Sequence, residues 1–512
     1  MRISASPGTV VGVLASAGIL AALMQTLVVP LIGELPRLLN TTPVDASWVI
    51  TATLLSGAVA TPVVGRLGDL YGKRRLLLCC IVSLVAGALL SAVATTVVPM
   101  IAGRVLQGVA MGIIPLGISS MRDVLPPERL GSSIALMSSS LGIGGAMGLP
   151  IAAAIAQNAD WHMLFWGTAV LSTLIGVLVL LVVPPAKPSR SGSFDFAGAI
   201  GLAVGLSCLL LGVTKGTDWG WTDGTILGLL GGSIVLLGLW GIYELRISDP
   251  LIDLRTAARK QVLLTNITSV VVGFAMYAQA LIVPQLLQLS SSTGYGLGQS
   301  MVQTGLWMAP SGLVMVLISP IGARLSARRG PRASLLLGAV IIAGGYLLIL
   351  PLMGSTWGLL VFTCVSSVGI AFAYGAMPAL IMDAVPVTET GAANGFNALM
   401  RAVGTSVASA VIGVVLAHMS TRSGAFTVPT QSGFQTAAII SAAVALTAAA
   451  VTLAIPRRSA AAVTGAGTGA VAGAMSGAGL SAPPGSDRVG RTPRSGMPPA
   501  GSAASSARRS EE

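Results

Sequence analysis

Long apolar runs separated by short polar breaks pattern this 512-residue chain from end to end. About 20 apolar residues cross a bilayer as a helix. On that measure the pattern predicts fourteen spans, at about 9–32, 46–64, 76–95, 98–120, 133–157, 161–183, 196–214, 224–245, 262–288, 304–323, 333–352, 357–381, 393–417 and 434–455. Residues 184–194 (PPAKPSRSGSF) are too rich in proline, glycine and serine to continue a helix and predict a linker. Residues 246–261 (RISDPLIDLRTAARKQ) carry enough basic and polar positions to predict an interfacial helix. From 456 onward Gly, Ala, Ser and Pro dominate, which predicts disorder. The expected organisation is a six-helix bundle at 1–183, a linker with two extra spans at 184–261, a second six-helix bundle at 262–455, and a cytoplasmic tail at 456–512.

Composition removes the soluble alternative. With 54% hydrophobic and 9% charged residues, the chain has too few charges to cover a water-exposed surface. The excess of 29 Lys and Arg over 17 Asp and Glu falls mostly in the breaks, so it orients the chain and does not point to nucleic acid. With the N-terminus inside, the inner breaks hold Arg66, Lys73, Arg74, Arg75, Arg122, Arg129, Lys187, Arg190, Arg246, Arg255, Arg259, Lys260, Arg324, Arg328, Arg329 and Arg332, against Arg37, Lys215 and Arg422 outside. Both termini are therefore expected in the cytoplasm. Cys79, Cys80, Cys208 and Cys364 lie within apolar runs, so no disulfide is expected. The two histidines have no His or Cys near them in sequence, so neither a zinc site nor a His-based nucleophile is expected. No GxxxxGK[ST] segment is present, which disfavours ATP hydrolysis, and the sparse acids and histidines assemble no catalytic cluster. An enzyme is not expected, nor is a resident cofactor.

Residues 65–75 read GRLGDLYGKRR between the second and third runs and predict a short hairpin. Residues 322–332 (GARLSARRGPR) repeat the spacing and basicity in a second set of six runs, with Ala327 where Asp69 stands. The first hairpin resembles the loop signature of the major facilitator superfamily, carried here by Gly65, Gly68, Asp69, Gly72, Lys73, Arg74 and Arg75. Arg104 opens RVLQGVAMG, which resembles the fourth-span motif of that family, whose arginine is implicated in proton coupling; Gln107 and Met111 share its face. Arg104 either faces a cavity or partner, since a guanidinium in hydrocarbon costs at least about 2.5 kcal/mol, or reaches back to the headgroups. LGIGGAMGLP at 141–150, with Gly144, Gly148 and Pro150, resembles the antiporter motif of drug exporters, although Leu149 splits the glycine–proline pair. In the first span LMQTLVVPLIGELP resembles an exporter motif that normally carries an aspartate where this chain has Met24, followed by Gln25.

The resemblance covers roughly 9–455 and implies the fourteen-span drug:proton antiporter branch: an all-α polytopic membrane protein of two six-helix bundles plus two additional helices around a cavity. It implies export of amphipathic organic compounds, cationic or uncharged, across the bacterial cytoplasmic membrane by alternating access, with protons as the second partner and a monomer as the unit. Arg104, Gln107, Glu34 and Arg401 are the candidates for proton coupling. Glu34 is equally well read as a solvated helix-end acid. Gln25, Met111, Asn266, Tyr277, Gln279, Tyr374, Met377, Asn394 and Asn397 are candidates for the cavity wall, the Met and Tyr among them being equally compatible with core. Gly65, Gly68, Asp69, Gly72, Arg74, Gly144, Gly148 and Pro150 are candidates for a conformational gate, in which Asp69 caps a neighbouring helix N-terminus when the bundles close. Met24 also leaves open a proton-independent facilitator on the same fold; a non-transporting sensor or membrane enzyme is a more distant alternative.

Overall fold

A computed structural model describes residues 6–28, 31, 34–185, 188, 192–423 and 426–456. The expected tail and part of the 184–194 linker, including Lys187 and Arg190, lie outside the described residues. Fourteen helices are long and apolar enough to cross a membrane. They are α1 (Pro7–Thr26), α2 (Pro43–Tyr71), α3 (Lys73–Ala92), α4 (Val97–Val124, passing through a 3-10 turn at Ala110–Gly112), α5 (Pro127–Asn158), α6 (His162–Val182) and α7 (Phe196–Trp219). Then follow α8 (Gly224–Glu244), α9 (Lys260–Gln288), α10 (Met301–Arg329), α11 (Pro331–Leu352), α12 (Thr356–Ala384), α13 (Thr390–His418) and α14 (Gln431–Leu453).

The helices from α1 to α6 build one hydrophobic core and those from α9 to α14 another. The two halves meet chiefly where α5 packs on α10 and α2 on α13. The extra pair is joined to both halves by α7, which packs on α2 and on α13; α8 packs chiefly on α7 and is otherwise turned outward. This is the all-helical arrangement of two six-helix bundles plus two that the sequence implied. The one departure among the described residues is a two-stranded antiparallel hairpin, Ser420–Ser423 with Phe426–Pro429, between α13 and α14.

Three local expectations are corrected. Residues 65–71 are not a loop: α2 stays helical to Tyr71 and the chain turns at Gly72, whose φ of 100° suits only glycine. Gly330, at φ 84°, makes the same turn between α10 and α11, so the internal repeat extends to backbone geometry. The 246–261 segment is not an interfacial helix. It forms one short turn, Leu254–Ala257, and buries Leu251 and Ile252 in a cluster with Ala58 of α2, Leu202, Leu206 and Leu210 of α7, and Leu399 of α13. Lys215 is not in a loop; it lies within α7 and is buried.

Candidate functional site

Between the halves lies a cavity of about 330 Å³, within the range of small-molecule pockets. Its wall is drawn from α1, α2, α4, α5, α7, α9, α12 and α13 and is mainly apolar, with Ile50, Leu54, Ile114, Leu141 and Leu210 among the contributors. Of the sequence candidates, Gln25, Met111, Tyr277, Tyr374 and Arg401 reach it. Lys215 of α7 reaches it too, and this the sequence missed, because a lysine near the end of an apolar run reads as a loop residue.

Arg401 is held from behind. Its Nη1 donates to Asn397 Oδ1 at 2.6 Å, and its guanidinium lies 5.1 Å from the Tyr374 ring centre. Asn397 Nδ2 donates in turn to Asn266 Oδ1 at 2.9 Å and to Ser269 Oγ at 2.6 Å, while Ser269 Oγ donates to Met377 Sδ at 2.9 Å. Asn266, Asn397 and Met377 are thus supports buried behind the wall and do not line it. Asn394 Nδ2 donates to the carbonyl of Thr390 in its own helix, and Gln279 is buried with Oε1 unpartnered. Neither of these reaches the cavity.

Arg104 lies inside the first half, buried and off the cavity wall. Its Nη1 donates to the Met24 carbonyl at 3.0 Å and to Gln107 Oε1 at 2.7 Å, and its Nε to the Val49 carbonyl at 3.2 Å. Gln107 Nε2 donates to Ser91 Oγ at 3.3 Å. The guanidinium therefore ties α1, α2 and α4 together through neutral oxygens, and the residue in the aspartate's place contributes its backbone while its side chain is core. The headgroup-reaching geometry is not the one adopted. Glu34 is not brought to either site: it sits exposed before the short helix Leu35–Leu38, paired with Arg37 at 3.1 Å.

At the end marked by the α2–α3 turn the halves are closed. Asp69 is fully buried and accepts from the backbone N–H of Gly391 at 3.1 Å and of Ala392 at 2.9 Å, in the first turn of α13. Those N–H groups have no intrahelical partner and sit at the positive end of the helix dipole, so a carboxylate belongs there. Close approach is possible because Gly65 faces Gly391: a Cβ on Gly65 would collide with the Gly391 carbonyl. Gly68 lies against Leu116 of α4. Lys73, buried, bonds Asp123 at 2.7 and 2.9 Å and Thr390 Oγ1 at 3.3 Å, with Asp69 Oδ1 3.9 Å away. The basic member of this cluster is thus Lys73 and not Arg74, whose guanidinium bonds the Leu180 carbonyl at the C-terminal turn of α6 within the same half. Asp123, which reads from sequence as a solvated loop acid, has a side chain only 13% exposed.

On α5, Gly144 and Gly148 lie against Ile19, Ala22 and Thr26 of α1, and Pro150 meets Gly305 of α10. The motif therefore packs on its own half with one face and on the other half with another. A further acidic pair was invisible in the sequence. Asp195, before α7, accepts from Gly198 N–H and Tyr243 Oη, but its Oδ2 is unpartnered. Glu244, closing α8, is buried with no hydrogen bond of ordinary geometry to either oxygen. A Cβ on Gly198 would meet both carboxylates, so they converge. Glu244 closes an apolar run and so reads as solvated; the fold-back of 245–257 covers it. Among the described residues no three His, Cys, Asp or Glu side chains converge as a metal site.

Fourteen apolar helices in two packed halves, a central cavity and one closed end define a polytopic membrane transporter. The family model of the Major Facilitator Superfamily matches residues 14–409, and the chain belongs to that superfamily. It is 27% identical over 424 residues to an uncharacterized MFS-type transporter of Mycobacterium tuberculosis, a match covering 80% of this chain and 61% of the relative. It is 25% identical over 389 residues to the tetracenomycin C resistance and export protein of Streptomyces glaucescens, covering 73% and 69%. It is 24% identical over 381 residues to multidrug resistance protein 3 of Bacillus subtilis, covering 73% of each. The match thus spans about three fifths of the length of the mycobacterial relative. In fold it is similar to the human organic anion transporter MFSD10, with TM-score 0.62, 16% identity and coverage of 87% of this chain and 99% of that one. It is also similar to the proton:xylose symporter XylE, at TM-score 0.60, 14% identity, 88% and 96%.

Proposed function

We propose that the chain is a secondary exporter of amphipathic organic compounds from the bacterial cytoplasm, working by alternating access with protons as the counter-ion. The observation that carries the reading is the pairing of one mainly apolar cavity between the halves with a carboxylate clamp that closes one end of them. Opening that end breaks those two backbone hydrogen bonds with their charge–dipole contact and the Lys73–Thr390 bond, and separates the packing of α2 on α13. Nothing covalent has to change. The names of the streptomycete and bacillar relatives, a resistance and export protein and a multidrug resistance protein, support export as the direction. With Glu34 at the surface, the fully buried carboxylates among the described residues, Asp69, Asp195 and Glu244, are the proton-carrier candidates.

A second reading, a proton-independent facilitator, draws support from Arg104, which has neutral oxygens as its hydrogen-bond acceptors where relatives of the resembled branch carry an acid. The test is efflux of amphipathic dyes from a pump-deficient bacterial host, with and without an uncoupler. The proposal expects export that collapses with the proton gradient. Export that survives the uncoupler assigns the facilitator, and no export of any compound by membrane-inserted protein overturns both.

A further inference from the structure

We propose that Asp195 and Glu244 form a proton-binding site in the extra helix pair, holding one proton between their carboxyl groups while the fold-back of 245–257 covers them and releasing it to water at the clamped end when that segment lifts. This rests on the proton-coupled transport reading above and puts the coupling site outside the two six-helix bundles.

The two carboxyl groups face each other. A Cβ on Gly198, in the first turn of α7, would collide with Asp195 Oδ2 and lie 2.6 Å from Glu244 Oε1, so those oxygens sit across the width of one methyl group. Glu244 is 2% exposed and Asp195 6%. Asp195 Oδ1 accepts from the Gly198 N–H at 2.8 Å and from Tyr243 Oη at 3.0 Å, whereas among the described residues its Oδ2 and both oxygens of Glu244 find no partner. The backbone N–H groups of Leu251 and Ile252 face Glu244 from the fold-back, outside ordinary hydrogen-bond geometry, and Trp240 Nε1 is committed to the Gly198 carbonyl at 2.9 Å. The charged groups of the fold-back are engaged elsewhere or face water: Arg255 donates to the Leu245 carbonyl at 2.8 Å, Asp253 caps the turn it precedes, Asp249 lies 4.0 Å from Arg66 of α2, and Arg246 is exposed.

Two carboxylates this close repel, and a buried, weakly screening surrounding raises the cost, so the stable form keeps one proton: the carboxylic O–H of one group donates to the facing oxygen of the other. That O–H is the donor the unpartnered oxygens lack. Once the pair meets water each group returns to the ordinary carboxylate range and the proton leaves, turning one negative charge into two. What covers the pair also joins the halves. Leu251 and Ile252 pack with Ala58 of α2 and Leu399 of α13 as well as with α7, and they share a small crevice with Ala392, whose N–H Asp69 holds. Parting α2 from α13 therefore strips the fold-back of part of its packing. The covered state binds one proton more than the lifted state, so rising pH favours lifting, and opening at the clamp drives release.

The test uses the full chain in lipid. Infrared spectra at neutral pH are expected to show a protonated carboxyl band that is lost in Glu244→Gln and kept in Asp69→Asn. Spin labels at Tyr71 and Ser248, exposed on α2 and on the fold-back, should report a longer separation that grows as pH rises in wild type and does not respond to pH in Glu244→Gln. In proteoliposomes Glu244→Gln should lose uphill dye efflux while keeping downhill flux, and Glu244→Asp should recover part of the uphill efflux. Asp195→Asn is expected to behave as Glu244→Gln does, and it decides the outcome if Glu244→Gln does not insert. No carboxyl band in wild type, as a pair ionised against the linker bases Lys187 and Arg190 would give, overturns the inference; so does uphill efflux undiminished in both charge-removing variants. Either result leaves the transport reading intact with Asp69 as the remaining carrier. Wild-type efflux that ignores an uncoupler overturns both.

Discussion

Asp69 and Arg104 are both buried ionisable residues, yet they serve opposite ends. Asp69 binds across the two halves, to N–H groups within its reach only when α13 is docked against α2, so its contribution belongs to the closed arrangement. A carboxylate at a partly buried helix N-terminus contributes about 1–2 kcal/mol, roughly a 5- to 30-fold shift in a two-state population. Asp69→Asn keeps the shape and loses the charge. It is expected to slow efflux at least several-fold with membrane insertion unchanged, measured as initial rate per inserted protein. Arg104 binds within one half, where its bonds to the Met24 and Val49 carbonyls tie α1 and α2 to α4. Arg104→Lys keeps the charge but cannot reach the Met24 and Val49 carbonyls together, and a loss of about 2–3 kcal/mol is expected, read as a lower melting temperature. Unchanged melting would remove Arg104 from the framework. The sequence marked both residues, since each is a charge in or beside an apolar run. It could not tell which carbonyl or helix end each would find, because those partners lie on α13, α1 and α2. Glu34 and Lys215 were exchanged for the same reason: near a span end, sequence does not say whether the next segment folds over a charge or leaves it in water.

At the scale of elements, turns and packing segments account for what was legible. Helix number followed from apolar length, and the turn from the basic cluster after a glycine. The helicity of 65–71 did not, because glycines that permit helix contact look like glycines that permit a loop. Gly65 is the discriminating position. Gly65→Val pushes methyl groups into the Gly391 backbone, where overpacking costs about 1–3 kcal/mol, and should hold the halves apart at that end. A cysteine introduced at Ala392, in a background without the four native cysteines, is expected to react with maleimide much faster in that variant than in its absence. The 246–261 segment supplies a second case. Its charges suggested a surface helix, whereas Leu251 is fully buried among α2, α7 and α13. Leu251→Ala should therefore cost about 2–5 kcal/mol, as a core truncation does. A surface helix would tolerate the change with no shift in melting temperature.

For the whole molecule, the repeat explains both the symmetry and its breaking. Gly72 and Gly330 make the same turn in the two halves, but Ala327 stands where Asp69 stands, so the carboxylate clamp exists in one half only. The halves are thus built alike and held together unequally. The extra pair adds a helix against both, with a lysine at the cavity. Alternating access requires that the clamped end open while the halves stay intact. The direct measurement is the distance between spin labels at Tyr71 and Val387, exposed positions flanking the clamp on α2 and just before α13, by pulsed electron resonance in nanodiscs. A short distance is expected in wild type, with a second, longer population that grows in Asp69→Asn and shifts on adding a transported compound. One short distance, the same in wild type, in Asp69→Asn and with compound, would contradict the account.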